Sequence, residues 1–252
     1  MRQLTKGGYY SGTSNIVLPV PNKALFPFDF QEKSRLCYYA SLFNSLEVNS
    51  TFYKIPLART IERWATEVPD DFKFTFKLWK GITHNMDLAF ADEDVARFMQ
   101  IIANANGKAG CLLAQFPASI TVAYRRQFER LLNSLRENDV YEQWKIAIEF
   151  RSKTWYTDLV YRLLDSYKMG LVLHDMPKSA APMMDLEAGF VYLRFHGTES
   201  NYGGSYTDEH LAEYAHYINQ WRDEGKTVYV YFNNTLGNAF QNLTVLNKFI
   251  GG

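Results

Sequence analysis

The sequence predicts a single closed (β/α)8 TIM barrel, a parallel sheet wrapped by helices, and three observations carry that expectation. Short β-rich runs alternate with runs of helical spacing from end to end. Strands separated by helices pair in parallel through right-handed crossovers. The 252 residues match the roughly 250 at which such a barrel closes, so one domain is expected over residues 1–252.

The first β-rich run is Gly8–Thr13, and a helix follows on Leu36, Tyr39, Ala40 and Phe43, spaced i, i+3, i+4, i+7. The second run, Ser45–Phe52, alternates Leu46, Val48 and Phe52 with Glu47, Asn49, Thr51 and Tyr53. In the third, Phe72–Leu78, four apolar residues alternate with Lys73, Thr75 and Lys77. Val95, Phe98, Met99 and Ile102 mark the next helix. The fourth run, Gly110–Phe116, ends in Gln115-Phe116-Pro117, and a helix on Phe128, Leu131, Leu132 and Leu135 follows. The fifth, Lys145–Phe150, sets Lys145, Ala147, Glu149 and then Arg151 on one face, before a helix on Val160, Leu163, Leu164 and Tyr167. After the sixth run, Gly170–Leu173, comes a polar, proline-bearing stretch, Met176–Glu187, in place of a clear helix. The seventh, Gly189–Phe195, offers Tyr192, Arg194 and then His196. Thr207 before Asp208 and Glu209 reads as the N-cap of a helix on Leu211, Tyr214, Ala215 and Ile218. The eighth run, Thr227–Phe232, presents Thr227, Tyr229, Tyr231 and then Asn233.

A barrel packs its outer face on helices, so the apolar set points outward and the alternate set points in. Glu47, Lys77, Gln115, Glu149, Arg194, His196 and Asn233 then converge on the C-terminal mouth, where barrel active sites lie. Each of these charges alone would read as a solvated strand end. Glu47–Lys77 or Glu149–Arg194 would also serve as plain inter-strand ion pairs. Their number argues for a site, because ionised groups inside a barrel mouth carry desolvation penalties of several kcal/mol each.

Lysine and arginine equal aspartate and glutamate, 27 against 27, which speaks against a dedicated nucleic-acid binder. Aromatics reach 16%, and that surplus is expected to pack the helical layer and line a concave site. The two cysteines, Cys37 and Cys111, fall in a predicted helix and a predicted strand, as reduced buried thiols would. The opening MRQLTKGGYY has no apolar core of a secretory leader, and no run would cross a bilayer, so a cytoplasmic protein is expected.

Seven ordered motifs carry a resemblance. They are EVNSTFY (Glu47–Tyr53), FKFTFKLWKGITH (Phe72–His84), LLAQFP (Leu112–Pro117), AIEFR (Ala147–Arg151) with Trp155, YLRFHG (Tyr192–Gly197), YGGSYTDEHL (Tyr202–Leu211) and VYVYFNN (Val228–Asn234). Over nearly its whole length the chain resembles the YecE-like family, the domain of unknown function numbered 72. The resemblance implies a TIM barrel and supplies no reaction. Glu47, Asn49, Lys77, His84, Glu149, Arg151, Arg194, His196 and Asn233 match the family's pattern. Three stretches depart from it: Asn15 follows GTS where glycine is common, FRSKTW lacks the usual histidine and proline, and FNNT has Thr235 where an acid is common. At fold level the family is similar to xylose-isomerase and endonuclease IV barrels, an analogy only.

The expected activity is acid–base chemistry on a small anionic substrate, phosphorylated or carboxylated, of hydrolase or lyase type. Glu47 or Glu149 is the candidate base, His196 its partner, and Lys77 completes the catalytic set. Lys77, Arg151, Arg194 and His84 would hold the anion. Asn49, Gln115 and Asn233 would orient substrate. Tyr53, Trp155, Tyr202 and Tyr206 would add aromatic walls, with the Gly203-Gly204 loop as a lid or a plain turn. Alternatives are a non-catalytic ligand- or nucleic-acid-binding barrel, an endonuclease-like enzyme, and a glycoside hydrolase using both glutamates. No cofactor is expected. One Mg²⁺ or Mn²⁺ on Glu47 and Glu149, with His174-Asp175 nearby, is the lesser alternative.

Overall fold

The computed structural model describes residues 5–184 and 187–251. Its strands are β1 (Tyr9–Thr13), β2 (Ser45–Val48), β3 (Lys73–Lys77), β4 (Ala109–Phe116), β5 (Lys145–Phe150), β6 (Gly170–His174), β7 (Phe190–Phe195) and β8 (Thr227–Phe232). All pair in parallel, in the order β1-β8-β7-β6-β5-β4-β3-β2. The helices are α1 (Arg35–Ala40), α2 (Ser50–Tyr53), α3 (Ala58–Thr66), α4 (Lys80–Thr83), α5 (Asp92–Ile102), α6 (Arg125–Glu137), α7 (Asp158–Ser166), α8 (Asp208–Asp223) and α9 (Ala239–Gly251). The expected (β/α)8 barrel is therefore present. Among the described residues no helix is long and apolar enough to cross a membrane.

Seven strands match their predicted runs to within a residue at each end; β2 stops four residues early. Asn49 already has helical backbone angles, φ −82° and ψ −14°, and it caps α2. Thr51 holds that turn by donating toward the Val48 and Lys77 carbonyls, at 2.9 and 2.7 Å. Alternation therefore ceases to aim side chains beyond Val48. Four helices stand where the sequence shows no helical spacing: α3, α9 and the single turns α2 and α4. The Thr207 cap of α8 accepts from the His210 amide at 3.3 Å, and Asp208 and Glu209 fill the first turn as the sequence predicts. No helix follows β6 among the described residues; of the polar stretch there, residues 185–186 lie outside them.

Two cores result. The larger lies between sheet and helices and takes the outward-facing residues, Phe74, Phe76, Leu112, Ile148, Leu193 and Val230 among them. The smaller fills the barrel itself with Cys111, Leu113, Ala147, Val172, Phe190, Tyr192, Tyr229 and Tyr231. Tyrosine suits this interior because its ring fills volume and its hydroxyl reaches the polar atoms that inward alternation supplies. The Tyr231 hydroxyl lies 2.6 Å from Ser45 Oγ and 2.7 Å from Thr75 Oγ1, while Tyr10 stacks on Tyr229 below. Much of the aromatic surplus is thus a plug beneath the mouth.

The β1–β2 seam closes the barrel by an unusual route. One backbone bridge joins Ser14 to Glu47, with the Asn15 amide donating to the Glu47 carbonyl at 2.8 Å. Below it, side chains replace the ladder. The Asn44 amide accepts from the Ser11 N–H at 2.9 Å and donates to the Tyr9 carbonyl at 2.8 Å. The Tyr39 hydroxyl accepts from the Thr13 N–H at 2.7 Å and donates to the Ser45 carbonyl at 3.0 Å. Gly12 allows the approach, since a Cβ there would stand 2.0 Å from the Ser45 carbonyl oxygen. Buried backbone groups need partners, and Tyr39 supplies two. Tyr39→Phe should therefore cost about 2–4 kcal/mol, because a donor and an acceptor lose their partner together. Thermal and urea unfolding check this; an unchanged midpoint would show that the seam does not depend on the hydroxyl.

Candidate functional site

The mouth is built upward from one carboxylate. Glu47, near the top of β2, is fully buried and points across the barrel to Arg194 on β7. Arg194 Nη2 donates to Glu47 Oε1 at 2.8 Å, and its Nε lies 3.0 and 3.2 Å from the two Glu47 oxygens. Ser14 Oγ and Tyr192 Oη each add a hydrogen bond of 2.5 Å, one to each oxygen. Burial pushes the Glu47 carboxyl up, but Arg194 and the two hydroxyls more than reverse this and hold it below the usual range.

The second layer hangs from the other edge of Arg194. Its Nη1 donates to Glu149 Oε2 at 3.0 Å and faces His196 Nε2 at 3.2 Å. Arg151 Nη2 lies 2.6 Å from Glu149 Oε1 and 2.8 Å from His196 Nε2. Burial raises the Glu149 carboxyl, yet Arg194 and Arg151 hold it well below its ordinary value. Guanidinium groups only donate, so His196 Nε2 accepts from both and the ring proton belongs on Nδ1. That nitrogen is 3.5 Å from Asp175 Oδ1. Burial lowers the imidazole's proton affinity further. Asp175 itself accepts from the His196 backbone amide at 2.8 Å and from the Tyr206 hydroxyl. His174, behind it, is a structural neutral imidazole: Nδ1 accepts from the Met176 amide and Nε2 faces the Phe150 carbonyl.

Lys77, at the end of β3, behaves differently. It is 9% exposed, and among the described residues its ammonium has no hydrogen bond and no ion pair. Its Nζ sits 4.2 Å over the Phe52 ring, with the His84 ring edge-on to that same ring at 4.8 Å. Burial first, then Arg194, lower the Lys77 pKa to about 8, against an opposing pull from Glu149 and Glu47. Burial and the adjacent Lys77 and Lys80 bring His84 down to about 4, so it is neutral near pH 7. Gln115 pairs in register with Glu149 and is buried between the Lys77 and Arg151 strands. Asn49 keeps a buried Oδ1 with no partner among the described residues. Asn233 follows β8 and is half-buried, its backbone N–H donating to the Phe195 carbonyl at 2.7 Å. Beside Arg151 and His196 opens a cavity of about 530 Å³, also lined by Lys178, Glu199 and Tyr202.

The structure thus gathers Glu47, Lys77, Glu149, Arg151, Arg194 and His196, and it displaces others. Trp155 is a core residue: fully buried, stacked on Phe150, its indole N–H on the Ile120 carbonyl at 2.7 Å. Tyr206 is buried and its hydroxyl accepts from the Gly197 amide at 2.6 Å, a brace for Asp175 in place of a substrate wall. Tyr53 sits on α2, 67% exposed, because β2 ends early. Tyr202 does stand beside His196, ring centroids 5.9 Å apart. The Gly203-Gly204 loop is tied to the β8 side through Leu236 N–H to Tyr202 O and Asn238 N–H to Gly204 O, which favours the turn over the lid. Arg194 occupies the gap between the two glutamates where a glycoside hydrolase would seat the sugar. Among the described residues no group of three or more His, Cys, Asp or Glu is arranged around a metal position. Sequence reasoning missed the parts of Ser14, Tyr192, Asp175 and Phe52. Alternation had put Tyr192 on the right face, and only its partner was hidden.

Related proteins agree with this architecture. The chain is 23% identical to the UPF0759 protein YunF of Bacillus subtilis over 85% of each chain. It is 33% identical to YecE of Escherichia coli over 32% of this chain and 30% of that one. A DUF72 protein of Thermotoga maritima superposes with a TM-score of 0.78 at 24% identity, covering 97% of this chain and 100% of that one. One from Enterococcus faecalis gives 0.78 at 20% identity, covering 97% and 96%. These structures share the fold. The family model described as a protein of unknown function, DUF72, matches residues 10–251, and the chain belongs to that family.

Proposed function

We propose that this barrel is an enzyme that binds a small phosphorylated or carboxylated substrate at its C-terminal mouth and acts on it by proton transfer. One observation carries the reading: Lys77 is a buried ammonium that no carboxylate of the described residues pairs. Three cations, Arg194, Arg151 and Lys77, stand there against two carboxylates, Glu47 and Glu149, while Asp175 is turned to the His196 amide and Tyr206. A buried charge without a partner is unfavourable, and an arriving anion relieves it. Arg151 offers the forked, partly exposed donor set that planar anions fit.

The roles then differ from the first expectation. Both Glu47 oxygens, Glu149 Oε2 and His196 Nε2 accept from guanidinium or hydroxyl donors, and Glu149 Oε1 is ion-paired to Arg151, so these groups frame the site and fix Arg151. Lys77 is the group free to exchange a proton, and a pKa of about 8 suits work near neutral pH. The orphan Oδ1 of Asn49 and the amide of Gln115 would orient the substrate's neutral part. The same saturation supports a second reading, a binding barrel without turnover, in which Lys77 contributes charge alone.

Inorganic phosphate serves as the first probe. It should raise the melting temperature of the protein, with the gain shrinking as salt rises. Arg151→Met should weaken the apparent affinity roughly tenfold to a hundredfold, the size of a lost charge-assisted hydrogen bond. Were neither phosphate nor a small carboxylate to shift the unfolding of the unaltered protein, the anion reading would fail. A second prediction concerns Lys77 alone. Its folded pKa lies below the unfolded value, so the stability it withholds is fully withheld below about pH 8 and returns as pH rises toward that unfolded value. Lys77→Met should therefore stabilise the protein at pH 7 by about 2–3 kcal/mol, with the gap to the parent closing above pH 9. Melting curves across pH 6–10 decide; a destabilised variant at pH 7 would mean that the ammonium supports the cluster.

A further inference from the structure

We propose that the Lys77 amine is a covalent nucleophile, forming an imine with an aldehyde or ketone whose anionic group rests on Arg151. This inference rests on the anion reading above and narrows it to anionic carbonyl compounds. A lysine that served only as a counter-charge would gain from a carboxylate partner or hydrogen bonds. Lys77 has neither among the described residues, and its nitrogen packs 4.2 Å over the Phe52 ring with 9% of the residue exposed. An apolar wall and neighbouring cations are the surroundings that keep a lysine amine unprotonated and reactive. Here the wall is Phe52, and the cations felt by Lys77 are Arg194 and Arg151, with Glu149 and Glu47 acting in the opposite sense. His84 shares the Phe52 ring and is neutral near pH 7, so the cations acting on the amine are the two arginines and not the imidazole.

The geometry also supplies what the addition step needs. In that step the nitrogen lone pair forms the C–N bond and the carbonyl pair moves to oxygen, which takes up the proton released from nitrogen. Loss of the resulting hydroxyl as water, with one further proton from solvent, leaves the protonated imine. Oxygen bears developing negative charge in the addition, and the candidate donors beside the Lys77 strand are Gln115, on β4 next to it, and the partly exposed Arg151 guanidinium, just past β5. Glu47 and Glu149 are held by Arg194, and neither pairs with the Lys77 ammonium, although both favour its charged form from a distance.

The test is reductive trapping on the full chain. Glyoxylate, a small aldehyde carrying a carboxylate, is incubated with the protein and cyanoborohydride at pH 7.5, and modified lysines are located by peptide mass mapping. A lysine with a pKa of about 8 holds on the order of a hundredfold more free amine at that pH than an exposed one. Lys77 should therefore be carboxymethylated at least roughly tenfold faster than the exposed Lys54 and Lys153. Phosphate should slow the reaction at Lys77 and leave the reference lysines unchanged. Arg151→Met should slow glyoxylate while sparing acetaldehyde, which has no anion to seat. Labelling of Lys77 no faster than the references, while phosphate still raises the melting temperature, overturns the imine and leaves anion binding standing. Loss of both responses overturns both.

Discussion

The forked ion pair between Glu47 and Arg194 joins the closing of the barrel to the building of its mouth. Glu47 belongs to the only backbone bridge between β1 and β2 among the described residues, and its carboxylate takes the Ser14 hydroxyl from the other side of that seam. The same carboxylate fixes Arg194, whose remaining nitrogen fixes Glu149 and His196, which in turn hold Arg151. Each link is nearly dry. A buried pair of this kind is weak evidence for stability, since its attraction is offset by desolvation, but removing one partner strands the other at a cost of about 3–5 kcal/mol. The network therefore specifies one arrangement more than it deepens the folding well.

Seen this way, the mouth divides into a saturated part and an unsaturated part. Hydrogen bonds from charged donors hold Glu47, Glu149 and His196 in place, with both carboxyls and the imidazole shifted below their ordinary ranges. Rigid surroundings of that sort are what a reactive group needs around it, because the cost of ordering is met during folding. The unsaturated part comprises Lys77, the exposed edge of Arg151, the orphan oxygen of Asn49, and Glu149 Oε1 and His196 Nδ1, which have a charged neighbour but no hydrogen bond among the described residues. Proteins tolerate such unpaired groups at sites of function, where strain or charge is kept available for a ligand.

Much of this is legible in the sequence alone. Inward alternation in the strands put Glu47, Lys77, Glu149 and Arg194 in one space, because strand period and barrel closure leave few other outcomes. Which cation pairs with which anion was not legible, since strand stagger decides it and residues far apart in sequence set the stagger. Tyr53 was misplaced for a local reason: Asn49 takes up helical angles and Thr51 bonds back to Val48, which ends the alternation. Trp155 and Tyr206 lie in loops, where no period says whether a ring turns inward to the core or outward to a ligand. The helix α9 escaped because its apolar residues are interleaved with amides, and its burial depends on α8 beside it.

The loop after β7 is pinned to the loop after β8. A side chain at Gly237 would have its Cβ 2.1 Å from the Gly204 carbonyl oxygen, so the β7 and β8 loops are in backbone contact, and Asn234 stitches them again at 3.2 Å. Asn201 and Tyr202 both adopt left-handed backbone angles that this contact holds in place. A gate made from such a segment would have to break that packing each cycle. On the proposed anion reading, entry without such a gate would be paced by diffusion toward Arg151 and Lys77, and ionic strength would then tune the rate of capture more than its strength.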